Sequence, residues 1–341
     1  MGTVMTSGHE ERSAPNSFRD YPAYRVSVDE YVTFRSQGFL IVRDLIDQQD
    51  VQELLEHTED IMYGRVSAPG LEPPPAGATR EEIERRYLRI HMLHHVLPIH
   101  EKYLLHPRVL DVVQALIGPD VLAMQTMLFL KPPGGAGQGY HQDSFYIPTV
   151  PDMLIGAWIA LDDADEENGC LWVRVGSQHE PIYPDQAHRA YNQGDTLYDL
   201  PLVEGHSHTV EAENGLTPIA ARYMEVPAVV RSGDVVFFGG HVIHRSHRNR
   251  SQTRFRRSFV SHYSNARSYT EWNYGDAGGP ANQYHILARG GTHLPYAMPQ
   301  YGTPCAANQP RPQQAARPAA MMPDGKGDMA IVVQLPGTDE D

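Results

Sequence analysis

The feature that most constrains the fold is a series of short apolar or alternating segments that begins at Val121. Turn residues separate these segments, which read VLAMQTMLFL, MLIGAWIAL, CLWVRV, AVV, DVVFF and FRRSFVSHY. Short runs of this kind, bounded by turn residues, are typical of the strands of an all-β domain. We therefore predict a β-sandwich or barrel over residues 120–265.

The chain before this series has helical patterns instead. Two capping boxes, Ser27-Val28-Asp29-Glu30 and Thr79-Arg80-Glu81-Glu82, each mark the start of a helix. Apolar residues at helical spacing predict another helix from about residue 47 to 63. A pattern over 107–117 begins with Pro and is followed by Gly-Pro, which frame a helix. We predict a helical part over 27–118 that caps the β-core.

Three further segments differ in composition from this domain. Residues 1–20 are polar and are predicted to be flexible. Residues 177–225 are polar and rich in Tyr, His, Gly and Pro, and they interrupt the strand series. Long insertions of this kind often act as lids, so we predict a lid-like role. Residues 306–341 are rich in Pro, Ala and Gly and are predicted to be a tail, which leaves a single domain over 21–305.

Charge and composition exclude several classes of protein. The chain has 28 Lys+Arg against 42 Asp+Glu, a formal net charge of −14. A general nucleic-acid binder or a protein of anionic membranes would need a basic surface, so we predict neither partner. The first twenty residues contain no apolar segment typical of a secretory signal, and the chain has only two cysteines. We therefore predict a cytoplasmic protein without a disulfide framework.

The most informative motif is the tripeptide His-Gln-Asp at 141–143. On a strand its outer side chains would point to the same face, and an imidazole with a carboxylate suits a divalent metal. A second histidine would complete a two-His-one-carboxylate facial triad. His241, His244 and His247 follow the strand-like GDVVFF, and spacing alone does not choose among them. A structural His–Asp pair is the alternative, since such tripeptides are common by chance.

A basic strand lies just downstream of these histidines. Alternation places Arg254, Arg256 and Ser258 on one face and Arg257 on the other. A guanidinium that points into a barrel requires an anion, because an unpaired buried charge is costly. A small dicarboxylate would fit this requirement. An internal ion pair or a solvated strand face is the alternative.

Several motifs in order give the sequence a resemblance to a known family. GYHQDSFY, GAWIAL, EENGCLWVRVGSQH and GDVVFF…HRSHRNRSQTRFRRSFVSHY resemble the phytanoyl-CoA dioxygenase family, and so do the earlier GFLIVRDL and MQTMLFLKPP. The resemblance runs from about Tyr31 to about Tyr263. It implies a double-stranded β-helix, the jelly-roll or cupin-like core, as part of a mainly β fold with a helical cap. It also implies an oxygenase that uses Fe(II), O₂ and 2-oxoglutarate as a co-substrate.

The resemblance assigns roles to individual residues. It implies that His141, Asp143 and His244 are the iron ligands. The residues that it places around 2-oxoglutarate are Arg256, Ser246, Gln142, Trp158, Met127 and Arg89. Tyr146 is a candidate substrate contact. The interval between His244 and Arg256 is one residue longer than in some relatives, which leaves Arg254 and Arg257 as alternative anion partners. The resemblance gives Lys131 no role.

The reaction implied by the resemblance is hydroxylation of an aliphatic C–H bond with release of succinate and CO₂. We predict a small metabolite or natural-product intermediate as the substrate, because lysine is scarce and a CoA thioester would need a basic pocket mouth. The ligand aspartate disfavours halogenation. Two rival interpretations are a cupin-like metalloenzyme that does not use 2-oxoglutarate and a non-catalytic binding protein. A homodimer is compatible with the sequence, although no interface signature specifies one.

A histidine cluster and one cysteine complete the candidates. At helical spacing His91 and His95 would face together, as in a zinc pair, with His94 and His100 nearby. A His-rich helical face that lines the pocket, or is solvated, is the preferred interpretation. Cys170 is expected to be buried and inert.

Overall fold

The structure is a computed structural model of the 341-residue chain. It describes residues 21–185, 197, 199–203, 213–268 and 285–292, together with the strand residues 298–299, 320–323 and 329–332. The predicted flexible segment 1–20 lies outside the described residues.

Most helices precede the β-core in the chain, and two short helices lie between its strands. The helices of the described residues are α1 (Val28–Gln37), α2 (Gln48–Met62), α3 (Arg80–Arg85), α4 (Pro98–Leu104), α5 (Pro107–Ile117), α6 (Asp143–Tyr146) and α7 (Thr217–Ala220). Both capping boxes are confirmed, because Ser27 and Thr79 each exchange hydrogen bonds with a glutamate three residues on. None of these helices is long and apolar enough to cross a membrane.

Two sheets form the core. The strands are β1 (Phe39–Val42), β2 (Arg89–His91), β3 (Val121–Lys131), β4 (Gln138–His141), β5 (Ile155–Ala160), β6 (Leu171–Arg174), β7 (Glu225–Ala228), β8 (Val235–Gly239), β9 (His244–Ser246), β10 (Arg256–Asn265), β11 (Ile286–Arg289), β12 (Met298–Pro299), β13 (Ala320–Pro323) and β14 (Met329–Val332). The major sheet has the order β1-β8-β5-β10-β3-β2-β14-β13, with β11 also paired to β3. The minor sheet has the order β4-β9-β6-β7.

Alternation along the central strands divides the apolar core into two layers. Leu128 and Phe259 are register partners on one face of β3 and β10, and they belong to the cluster that includes the helices. Met127, Val260 and Trp158 are aligned on the opposite face and belong to a second cluster with minor-sheet residues. The predicted β-sandwich is therefore confirmed, with the helices packed on the outer face of the major sheet.

The predicted helical part is not purely helical. It contributes two strands to the major sheet: β1 pairs with β8, and β2 pairs with β3. The resemblance had indicated the first strand. The second strand, β2, was missed because it is only three residues long and two of them, Arg and His, are polar. Its position matters, since it brings Arg89 and His91 alongside the centre of the sheet.

The predicted tail also contributes strands. β13 and β14 form an antiparallel pair, and β14 runs parallel to β2 at the edge of the major sheet. Within the predicted tail 306–341 these strand residues are the part that the structure describes, and the remainder lies outside the described residues. In the insertion 177–225, the described part includes a 3-10 turn at Ser177–His179 and helix α7.

Candidate active site

Three predicted ligands meet at one edge of the minor sheet. His141 ends β4 and His244 begins β9, and the two are direct register partners. Asp143 is the first residue of the helical turn α6, so the expectation that it shares a strand with His141 is wrong. The turn nevertheless brings its Oδ1 to 3.6 Å from His141 Nε2 and 3.8 Å from His244 Nε2. One donor atom from each residue lies within 4.8 Å of the others.

The backbone fixes the orientation of both imidazoles. His141 Nδ1 lies 2.9 Å from the carbonyl oxygen of Gly139, and His244 Nδ1 lies 2.9 Å from that of Val242. A carbonyl only accepts, so each Nδ1 carries the hydrogen and each Nε2 presents a lone pair to the centre. The amide nitrogen of Gln138, 3.1 Å from His141 Nε2, donates to that lone pair.

The carboxylate of Asp143 is held by a residue that sequence reasoning missed. His262 Nε2 on β10 lies 3.0 Å from Asp143 Oδ2 and leaves Oδ1 facing the two ligand histidines. Burial alone would raise the pKa of Asp143, but attraction to His244 when that ring is protonated, the hydrogen bond from His262, and the positive charges of His262 and His141 when protonated lower it well below its usual value. The sequence did contain one indication of His262. It lies an even number of residues after Arg256 on the same strand, so the two side chains are predicted to share a face of that strand.

This donor set fits a divalent iron site. Two neutral imidazoles and one ionised carboxylate form an open facial triad, whereas a closed zinc site would have four ligands. The other two candidate histidines lie elsewhere. His241 bonds the Glu180 carbonyl and pairs with Asp152, and the ring of His247 packs edge-on against Trp172.

Arg256 lies on the same face of β10 as His262, six residues before it. We refer to the interior between the two sheets as the pocket, with the triad at its metal end and Arg256 at its other end. Arg256 is 3% exposed, and its Nε donates to the Gly169 carbonyl at 3.2 Å. Its guanidinium carbon lies 5.6 Å from the ring centre of Trp158 and 5.9 Å from that of Phe129. No ion pair of the described residues includes it, and burial lowers its pKa to about 10. A buried cation without a carboxylate partner is the feature of an anion-binding site.

The two alternative arginines are already neutralised. Arg254 bonds Asp165 through both terminal nitrogens and Glu167 through one of them. Arg257 bonds both carboxylate oxygens of Asp162. In the described part of the chain, this contrast favours Arg256 as the anion partner.

The other residues predicted around 2-oxoglutarate lie in different settings. Trp158 and Met127 are buried on the inner face of the major sheet. Ser246 is buried on β9, two residues after His244. Arg89 is buried and pairs in register with Phe129, which places it on the same face of the major sheet as Met127 and Trp158. These four roles remain predictions, and their positions agree with them.

Among the residues predicted to surround 2-oxoglutarate, Gln142 differs because its side-chain amide bonds the backbone. Its Nε2 donates to the carbonyl oxygens of Pro181 and His241, and its Oε1 accepts from the backbone N–H of Tyr183. Both ends of this amide hold backbone groups, and its role in binding a ligand carboxylate stays a prediction. Alternation explains the backbone bonds: with His141 facing the metal end, the next side chain points the other way.

Tyr146, the histidine cluster and Cys170 are the remaining residues singled out in the sequence. The Tyr146 ring centre lies 6.5 Å from that of His141, so substrate contact stays a prediction. The helical interpretation of the cluster is wrong, because His91 is on strand β2 and His94 on a 3-10 turn. Their side chains bond Gln125 and Thr126 respectively. Cys170 is buried as expected, and burial raises the pKa of its thiol to about 12.

Comparison with known proteins identifies the family. The family model described as phytanoyl-CoA dioxygenase (PhyH) matches residues 34–258. The chain belongs to the phytanoyl-CoA dioxygenase family. It is 28% identical over 250 residues to the peroxisomal phytanoyl-CoA dioxygenase of Rattus norvegicus, covering 71% of this chain and 69% of the relative. Together with the triad, membership makes the chain a dioxygenase that depends on Fe(II) and 2-oxoglutarate.

Solved structures confirm the jelly-roll fold predicted for this family member. The alpha-ketoglutarate-dependent carbocyclase of nogalamycin biosynthesis gives a TM-score of 0.55 at 19% identity, covering 75% of this chain and 92% of that one. An epimerase from the same biosynthesis, in complex with Fe³⁺, alpha-ketoglutarate and nogalamycin RO, gives 0.53 at 19% identity, covering 74% and 91%.

Proposed function

We propose that this dioxygenase hydroxylates an aliphatic C–H bond of a small metabolite or natural-product intermediate. The observation that carries the proposal is the pairing of two features in one pocket. Three donor atoms lie within 4.8 Å of one another, and the buried guanidinium of Arg256 on the inner face has no carboxylate partner in the described part of the chain. A keto acid with a second carboxylate fits both features.

Each end of the pocket has a distinct task in this reaction. His141, Asp143 and His244 would hold iron, and Arg256 would bind the far carboxylate of 2-oxoglutarate. With iron bound, O₂ converts 2-oxoglutarate to succinate and CO₂ while the substrate C–H becomes C–OH. The chain supplies orientation and exclusion of water, because the residues around the two ends are buried.

Charge distribution supports a small substrate rather than a CoA thioester. Arg245, which follows His244, and Arg254 and Arg257, which flank Arg256 in sequence, are each bonded to carboxylates. A CoA nucleotide would require cations that are available for its phosphates. The formal net charge of −14 also disfavours long-range attraction of a polyanion.

An anaerobic titration tests the proposal. Chelator-treated protein receives Fe(II) and 2-oxoglutarate, and a visible charge-transfer band is expected only when both are present. His244→Ala should lose the band, and Arg256→Ala should require far more 2-oxoglutarate. Succinate release in air with candidate substrates then identifies the substrate class. Iron binding without any response to 2-oxoglutarate would instead favour a cupin-like metalloenzyme.

A further inference from the structure

A buried lysine lies beside the proposed 2-oxoglutarate site and has no part in the reaction described so far. Lys131 is the last residue of β3 and is 5% exposed. Its Nζ lies 2.9 Å from Ser246 Oγ, 2.7 Å from the His247 carbonyl and 3.4 Å from the Gly169 carbonyl. The ammonium is therefore directed at strand β9, which also carries a metal ligand.

Lys131 and Arg256 form a pair of neighbouring cations. They are register partners on β3 and β10, and both donate to the Gly169 carbonyl. Cys170, the next residue, does not neutralise them, because burial raises the pKa of its thiol to about 12 and keeps it protonated. Two like charges that share one carbonyl repel each other, and a bound carboxylate would relieve that repulsion.

Glycines make room for the lysine side chain. A Cβ on Gly169, whose φ is +82°, would lie 2.5 Å from the His247 carbonyl oxygen and 3.0 Å from Lys131 Nζ. A Cβ on Gly135 would lie 3.1 Å from Lys131 Cγ. The two contacts with Lys131 are tighter than most Cβ contacts, so glycine at 135 and 169 leaves room for this side chain.

The contact with Ser246 also fixes the direction of a hydrogen bond. An ammonium has three hydrogens and no lone pair, so the serine oxygen is the acceptor. The hydroxyl hydrogen of Ser246 is then free to donate to a different group. A carboxylate bound by Arg256 would be an acceptor for it.

We propose that Lys131 is a positioning residue for the far carboxylate of 2-oxoglutarate, acting through Ser246. The inference rests on the proposed function, because it assumes that 2-oxoglutarate binds with this carboxylate at Arg256. It assigns a role to a residue that the motif alone left without one.

The test measures the dissociation constant of 2-oxoglutarate by anaerobic titration of the charge-transfer band. Lys131→Met keeps the length of the side chain and removes its charge, and we expect a dissociation constant about 10- to 100-fold higher. The metal dissociation constant and kcat at saturating 2-oxoglutarate should change less than about threefold. Lys102→Met is the matched control, because Lys102 is also a mostly buried lysine but pairs with Glu53 in the cap.

A double-mutant cycle separates positioning from a general electrostatic effect. In a Ser246→Ala background, Lys131→Met should raise the dissociation constant much less than in the wild type. Lys131→Gln, which can still donate to Ser246, should recover part of the affinity and serves if the methionine variant does not fold. Fully additive losses, or wild-type affinity in both Lys131 variants, would overturn the inference. Absence of the band in the wild type would overturn the proposed function instead.

Discussion

The two ends of the pocket are built by different physical means. At the metal end, the imidazoles of His141 and His244 are oriented by backbone carbonyls two residues earlier in the chain. At the other end, where we propose that an anion binds, the positions of Arg256 and Lys131 depend on the pairing of two distant strands and on burial. The orientation of the imidazoles at the metal end is therefore set by nearby backbone. The placement of the two cations at the other end is set by tertiary structure. Substitutions should affect metal and 2-oxoglutarate separately.

The largest effect is expected from His141→Ala. Removal of one of three ligands should weaken metal binding by about a thousandfold, taking roughly a third of a typical site energy as lost. Competition with a chromogenic chelator under anaerobic conditions measures this change. Metal affinity within tenfold of the wild type would show that His141 is not a ligand.

Arg256→Leu should give the converse result. Truncating a buried charge that pairs with a ligand costs enough to raise the 2-oxoglutarate dissociation constant about a hundredfold. Metal affinity without 2-oxoglutarate should stay within about threefold of the wild type. Equal losses of both affinities would contradict the separation of the two ends, and Arg256→Lys, which keeps the charge, should be intermediate.

His262 tests how far the metal end relies on side chains. His262→Leu removes the donor to Asp143 Oδ2 and should weaken metal binding about 10- to 100-fold. His262→Gln, which can donate to the same oxygen, should recover part of that loss. His94→Leu is the control, because this buried histidine bonds the hydroxyl of Thr126. Similar metal affinity in His262→Leu and the wild type would limit His262 to packing.

The smallest effect concerns the stability of metal-free protein in acid, away from both ends. His100 packs between His57 and Phe259 with neither ring nitrogen hydrogen-bonded. Burial lowers its pKa well below 6.5, so the unfolded chain binds the proton more readily and stability falls as pH drops below about 6.5.

His100→Leu should remove about 1.4 kcal/mol per pH unit from that slope between pH 6 and 5. Urea unfolding at pH 7, 6 and 5 provides the measurement. Parallel slopes in the variant and the wild type would show that His100 does not contribute to the acid sensitivity.

The sequence predicted the strands of the core and the identity of the triad, but not the local form of the site. The ordered motifs were sufficient for the fold, because alternation and turn residues recur along the whole core. The helical turn at Asp143 was missed, because a tripeptide does not specify where a strand ends. Gln142 was assigned by resemblance, whereas its pairing with Pro181 and His241 depends on a distant loop.

Contacts made across strands were the least predictable. His91 was placed on a helix because its neighbours are histidines at helical spacing, yet pairing with Met127 draws it into the sheet. His262 and Lys131 lie within motifs that carry the resemblance, but those motifs assigned neither residue a role. Their roles become visible only when the register of β10 and β3 is known.

The carbonyl bonds to the ligand histidines have an evolutionary consequence. Every residue has a backbone carbonyl, so substitution of Gly139 or Val242 does not by itself remove the acceptor that orients an imidazole. The orientation of both rings can therefore survive extensive sequence drift, such as that separating this chain from a relative at 28% identity. The orientation of Asp143 is more sensitive to substitution, because its Oδ2 is held by the side chain of His262. We expect Asp143 and His262 to be lost or retained together across descendants of this site.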